Sequence, residues 1–313
     1  MNNCVLCYQP LTGKEQSVHA SCSRKLYGQS APPLLPYSEN DIEPLAKEII
    51  QSHTAVTGVQ AKLSLHISRH RNADAERRFT IVGLWGGYIL KPPSPQYPQL
   101  PEVEDVTMHL AQLAKIKTAP HGLIRLQSGN LAYITQRVDR TKKGKLAMED
   151  MCQLTERLTE DKYHGSYELI GKTILMYSAT PGLDVVNFCE LVLFSFLTGN
   201  ADMHLKNFSL LEQPDIGMIL SPAYDLVNTA LVNPADKEEM ALTLNGRKKK
   251  LKKQDFVALM NVLRIKEKQQ HNIMNKMKNA LPQWLEMIDQ SFMSDEFKAQ
   301  YKAILAERLA RLA

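Results

Sequence analysis

The sequence predicts an α+β fold built in two lobes, and three observations carry that reading. Short β-rich runs occupy residues 63–137 around one amphipathic helix, the pattern beyond Lys145 becomes mainly helical, and no internal repeat or low-complexity tract interrupts either half. A chain of 313 residues is also long for one core and comfortable for two, at roughly 100–200 residues per domain. The expected boundaries are a small Cys/His-containing unit over residues 1–30, a β-rich lobe over 31–140 and a helical lobe over 141–313.

Each element has its local reason. Ala31-Pro32-Pro33-Leu34-Leu35-Pro36 reads as an extended linker, and a short helix is expected from about Asp41 to Gln51. Leu63 to Ser68 alternates, and Phe79-Thr80-Ile81-Val82 is β-rich, so both read as strands. Tyr88-Ile89-Leu90-Lys91 is a third, stopped by Pro92-Pro93. From Glu102 to Lys115 the apolar residues Val103, Val106, Leu110 and Leu113 recur at helical steps, which predicts an amphipathic helix. Gly122 to Gln127 and Asn130 to Arg137 read as two strands joined by a turn at Ser128-Gly129.

Composition narrows the class. The chain is 44% hydrophobic and 23% charged, the balance of an ordinary globular protein rather than a disordered or fibrous one. A net charge of +5, from 38 basic and 33 acidic residues, is weak evidence for an anionic partner. The opening MNNCVLCYQP shows no basic run leading into an apolar stretch, so no secretory signal is expected. The most apolar window, Val185 to Gly199, contains Asn187 and Glu190 and is shorter than the ~20 residues of a membrane span, so it reads as a buried helix. Five unevenly spaced cysteines suit a reducing interior better than a disulfide framework. A cytoplasmic, soluble protein is the expectation.

The strongest chemical constellation is Gly199-Asn200-Ala201-Asp202-Met203-His204-Leu205-Lys206-Asn207, followed by Ala223-Tyr224-Asp225-Leu226. An Asp with an Asn five positions later is the catalytic-loop spacing of protein kinases. The Asp can accept the hydrogen bond of an attacking hydroxyl, the Asn amide oxygen can reach magnesium, and a later Asp supplies the carboxylate that this hard cation prefers. The spacing alone recurs by chance, and a polar cluster between two apolar elements is either a well-paired loop or an active site. In the first half, Thr54 to Lys62 forms a small-residue loop before a strand, which either presents backbone N–H groups and Lys62 to phosphates or simply turns the chain. Lys91 can pair with phosphates and Glu104 can hold it by an ion pair; the plainer reading makes both solvated surface charges.

Taken together and in order, these stretches resemble the HipA family of serine/threonine kinases, toxins of bacterial toxin–antitoxin modules. The matching segments run from about Thr54 to Leu231: Thr57 to Ser64, Tyr88 to Pro92, Glu104 to Ala111, Gln136 to Arg140, Met148 to Gln153, Asp161 to Tyr167, Gly199 to Ser209, and Ser221 to Asp225. The resemblance implies a two-lobed protein-kinase-like fold with a mixed β-rich N-lobe carrying the phosphate loop. It implies an ATP- and Mg-dependent kinase with Asp202 catalytic and Asn207 and Asp225 as Mg ligands. Lys91, supported by Glu104, would contact ATP phosphates, with Thr57, Gly58 and Lys62 in the phosphate loop and the edge from Gln136 to Val138 receiving adenine. Autophosphorylation would fall on Thr57 first and Thr54 second, although Ala55 stands where the family often has a serine.

Only about 53 residues precede Thr54, fewer than in full-length HipA relatives, which makes the chain look like HipT, the short kinase of three-component HipBST systems. That implies a separate small HipS-like protein, a helix-turn-helix HipB-like antitoxin through which alone DNA would be met, and an aminoacyl-tRNA synthetase as substrate. Two other readings stay open: an idle nucleotide-binding protein of a repressor complex, and an exported effector kinase.

Two features lie outside that pattern. Cys4-x2-Cys7-x11-His19-x2-Cys22 offers four soft ligands for a tetrahedral zinc ion, or else reduced cysteines in a small helical cap. Arg247 to Lys253 is the densest basic run, either a solvated loop or helix end or a dock for an anionic partner. Within the catalytic loop His204 suits packing or hydrogen bonding, with proton transfer as the alternative.

Overall fold

The computed structural model describes residues 3–11, 17–42, 44, 62–68, 77–82 and 85–312, which fall into two compact units. The first comprises Met1–Asp105, Ala119–Arg137 and Gln290–Phe292; the second comprises Val106–Thr118, Val138–Asp289 and Met293–Ala313.

Among the described residues the first unit holds helix α1 (Ala20–Tyr27), a helical stretch at 39–42 and 44, and five strands: β1 (Leu63–Ser68), β2 (Arg78–Val82), β3 (Tyr88–Lys91), β4 (His121–Arg125) and β5 (Leu131–Gln136). They form one antiparallel sheet in the order β2-β1-β3-β5-β4. Alternation decides its register: Leu63 stands opposite Leu90, and Leu90 opposite Ile134, so the buried side chains share a face. The β4–β5 hairpin closes at Ser128-Gly129 as expected, with Gly129 at φ +93°. The proline-rich stretch, read from sequence as a linker, is extended but docked. Leu34 N donates to Arg77 O and Leu34 O accepts from Phe79 N, while Leu35 is buried. Residues 39–42 and 44 are helical, so the described part of the helix expected from Asp41 is present.

Helix α2 (Leu100–Leu113) begins two residues before its predicted start. It departs from the amphipathic reading, because every residue from Val103 to Ala111 is buried. A helix buried all round must pair its charges, and it does: Glu104 meets Lys91, and Asp105 meets Tyr8 and His121.

The second unit is mainly helical, with more sheet than its sequence pattern suggests. The hairpin β6 (Arg140–Thr141) and β7 (Gly144–Lys145) precedes a three-stranded antiparallel sheet of β8 (Met148–Asp150), β9 (Ser209–Gln213) and β10 (Gly217–Leu220), ordered β10-β9-β8. Of these, only the run from Phe208 to Leu211 reads as a strand from sequence; β8 is too short for alternation to register. The helices are α3 (Met151–Leu154), α4 (Tyr167–Tyr177), α5 (Pro181–Leu197), α6 (Thr229–Val232), α7 (Lys253–Val262), α8 (Glu267–Gln290) and α9 (Asp295–Ala310). The predicted buried helix is α5, whose Phe188, Phe194 and Phe196 meet Phe208, Trp284 and Phe256. Each such ring contributes about 1.5–3 kcal/mol by burial. Residues Arg247 to Lys252 of the basic run form turns and loop, with Leu251 buried and helix starting at Lys253. Among the described residues no helix is long and apolar enough to cross a membrane.

Candidate active site

Helix α5 positions the polar loop that follows it. Its C-cap, Thr198, is bonded back to Phe194 O through both its backbone N–H and its hydroxyl. Gly199 then reverses the chain at φ +70°, a left-handed conformation that glycine adopts without steric cost. The turn is pinned from α6: Ala230 N and Thr229 Oγ1 donate to Gly199 O, and Ala201 N donates to Thr229 Oγ1 at 2.7 Å. Asn200 Oδ1 accepts from Asp202 N, so the Asp202 backbone is held by its own loop.

The Asp202 carboxylate is half-buried and accepts a hydrogen bond from Tyr163 Oη at 2.7 Å. Five residues on, in a 3-10 turn over Leu205–Asn207, the Asn207 amide nitrogen donates to Asp202 O at 2.8 Å. That bond orients the amide. With Nδ2 committed to the backbone, Oδ1 is the end available to a cation. The spacing predicted from sequence thus brings the two residues into direct contact.

Asp225 has φ +56°, the left-handed region that Asp tolerates better than most residues. Its neighbour Tyr224 donates to Lys206 O at 3.1 Å and shares a hydrogen bond with Ser209 Oγ at 2.5 Å, tying the Asp225 segment to the residue before Asn207. Lys206 is paired with Asp150, the N-cap of α3, at 2.6 Å.

His204 is buried and lies edge-on to the Tyr163 ring, centroids 5.0 Å apart. Burial pulls its pKa below the ordinary histidine value, opposed by the charges of Asp202 and Asp225. The ring contact with Tyr163 shows His204 packed within the loop, one of the roles expected of it. Burial, with Asp202 second, raises the Tyr163 phenol, which stays a donor to the carboxylate.

In the first unit, Lys91 and Glu104 form a buried ion pair at 2.5 Å, with Lys91 Nζ also 5.3 Å from the centre of the Tyr133 ring. Neither is the solvated charge that a lone lysine or glutamate usually is. Gln136 ends β5, where its N–H donates to Pro120 O; Val138 stands in the turn beyond it, in the second unit. Lys62 is exposed, directly before β1. Thr54, Thr57 and Gly58 lie outside the described residues. Cys4, Cys7, His19 and Cys22 come together, their ligand atoms within 4.8 Å of one another.

The donor set suits a hard cation: a carboxylate at Asp225 and an amide oxygen at Asn207 are both oxygen ligands of the kind magnesium takes. The Asp-x4-Asn spacing gives no role to Tyr163, Asp150 or Tyr224. The only signal for Tyr163 is the stretch Asp161 to Tyr167, since 39 residues separate it from Asp202.

A sheet holding a buried Lys–Glu pair, and a helical unit holding Asp-x4-Asn with a later Asp, are the parts of a protein-kinase-like α+β fold. The chain belongs to the HipA-like C-terminal domain family, whose profile matches residues 54–285. It is 35% identical over 191 residues to "Putative kinase Y4dM" of Sinorhizobium fredii, covering 56% of this chain and 45% of that protein. A "Putative kinase" of Haemophilus influenzae is 27% identical over 250 residues, covering 74% and 69%. The chain thus spans less than half of the first relative's length. Among solved structures, HipA of Shewanella oneidensis MR-1, from a toxin–antitoxin complex with HipB and operator DNA, superposes with a TM-score of 0.68 at 23% identity, covering 85% of this chain and 70% of that one. The Helicobacter pylori proinflammatory kinase CtkA gives 0.55 at 15% identity, covering 80% and 93%. These two likenesses establish the fold.

Proposed function

We propose that the chain is an ATP- and magnesium-dependent serine/threonine protein kinase. The observation that carries this reading is the Asp202 loop, where Asn207 is bonded to the backbone of Asp202 and Tyr163 orients its carboxylate. Phosphoryl transfer asks a protein mainly for positioning and charge neutralisation. Asp202 accepts the hydrogen bond of the attacking hydroxyl and aims its oxygen at the γ-phosphorus. Bound magnesium, held by Asn207 and Asp225, supplies charge neutralisation on the phosphates. Lys91, held by Glu104, contacts the phosphates, and the Gln136 to Val138 edge receives adenine. Thr57, with Gly58 and Lys62 in the same loop, is the first autophosphorylation site and Thr54 the second.

In the cell this activity belongs to a toxin of the HipT kind that modifies an aminoacyl-tRNA synthetase, with a small HipS-like protein and a HipB-like antitoxin as partners. Family membership supports that assignment, as does the Shewanella relative's occurrence with HipB and operator DNA.

The test is incubation of the full chain with magnesium and labelled ATP, alone and with bacterial lysate, beside Asp202→Ala. Label on a lysate protein or on the loop around Thr57, absent from the variant, is the expected outcome. ATP binding without transfer under every condition sinks the reading.

A further inference from the structure

The phosphotransfer reading leaves Cys4, Cys7, His19 and Cys22 without a role. His19 Nδ1 lies 3.3 Å from Cys7 Sγ and 3.9 Å from Cys22 Sγ. A tetrahedral ion with Zn–S about 2.3 Å and Zn–N about 2.0–2.1 Å sets its N and S ligands roughly 3.6 Å apart, between those two separations. The imidazole is also held in the matching tautomer. Its Nε2 is 3.0 Å from Pro10 O, an atom that only accepts, so Nε2 carries the proton and Nδ1 turns its lone pair to the sulfurs.

The backbone is shaped around the same point. Cys7 N and Tyr8 N both donate to Cys4 O, Tyr8 turns the chain at φ +63°, and His19 N donates to Cys4 Sγ at 3.4 Å. All five cysteines are free thiols. Beyond the cluster the knuckle is fastened to the sheet. Val5 O accepts from Leu123 N of β4, and Gly122 leaves room for Leu6, whose Cδ2 a β-carbon there would strike. Buried Tyr8 donates to Asp105 Oδ2 at 2.6 Å, and the other Asp105 oxygen meets His121 Nδ1 at 2.7 Å. Asp105 adjoins Glu104 on α2.

We propose that Cys4, Cys7, His19 and Cys22 bind one structural zinc ion, which fixes the N-terminal knuckle against β4 and, through Tyr8, against α2. Three thiolates and a neutral imidazole close the tetrahedron, leaving no position for a reacting water. Binding to the reduced chain releases three thiol protons to solvent. The assignment is independent of whether the chain transfers phosphate.

The test uses the full chain, tag-free and reduced, loaded with zinc alone and then with cobalt(II). The expected results are about one zinc per chain retained through gel filtration, and a cobalt derivative with tetrahedral visible bands and thiolate charge transfer. Cys22→Ser should weaken zinc retention beyond the roughly 10–100-fold of an outer-shell change. Should that variant misfold, the wild-type cobalt spectrum decides alone. No retained zinc, or a cobalt spectrum without thiolate bands, overturns the site. Stripping the metal should speed amide exchange at residues 4–8 and 121–123; unchanged exchange there overturns the anchoring role.

Discussion

Gly199 is the hinge on which the Asp202 loop turns, and Gly199→Ala is the perturbation whose cost the structure lets one work out. At φ +70° an alanine incurs about 1–2 kcal/mol for the left-handed conformation alone. Its β-carbon would stand 2.6 Å from Asn228 Oδ1, 3.1 Å from Ile304 Cγ2 and 3.2 Å from Ala230 Cβ. Asn228 is fully buried and its Oδ1 caps α6 by accepting from Leu231 N at 3.0 Å, so it yields only by giving up that cap, worth about 1 kcal/mol. The sum is about 2–3 kcal/mol. The chain has two tryptophans: Trp85, 77% exposed, in the first unit, and Trp284, fully buried, in the second. In a Trp85→Phe background, Trp284 fluorescence during urea unfolding reports the second unit by itself. Adding Asn228→Ala should reduce the cost of Gly199→Ala to the conformational part, about 1–2 kcal/mol. A cost below about 0.5 kcal/mol, or an equal cost in both backgrounds, would refute the assigned strain.

Three further outcomes follow from the same geometry. Glu104→Ala leaves Lys91 buried without its carboxylate and should destabilise the first unit by about 3–5 kcal/mol, whereas Lys91→Met with Glu104→Leu should cost far less while still abolishing transfer; equal costs in urea unfolding would count against a desolvated pair. Tyr163→Phe removes the hydrogen bond to Asp202 and should lower kcat about 10-fold with the KM for ATP unchanged; a shift confined to KM would show that Tyr163 does not position the carboxylate. His204 is held below the ordinary histidine pKa, chiefly by burial, so the unfolded chain takes up its proton first. Its contribution to stability is present above about pH 6.5 and is lost as pH falls from there toward the lower folded value. His204→Gln should therefore flatten the stability profile between about pH 7 and 5, and an unchanged slope would exclude a neutral buried imidazole.

What the sequence determined by itself is what short-range pattern encodes. The five strands of the first unit declare themselves by alternation and by the breakers Pro92-Pro93 and Ser128-Gly129, and α2 and α5 by their apolar residues. The proximity of Asp202 and Asn207 was legible because five residues and a tight turn bring the Asn207 amide back to the Asp202 backbone. The strand β8 was not, because three residues carry no period and take their shape from pairing with β9. Nor does local pattern reveal that α2 is buried on every side. Tertiary structure alone decided that Tyr163 meets Asp202 across 39 residues, that Lys206 meets Asp150 across 56, and that Tyr8 reaches Asp105 across 97. Propensity and periodicity act within a few residues along the chain. Which distant polar group satisfies a buried carboxylate depends on the path of the whole backbone, and only the fold contains that path.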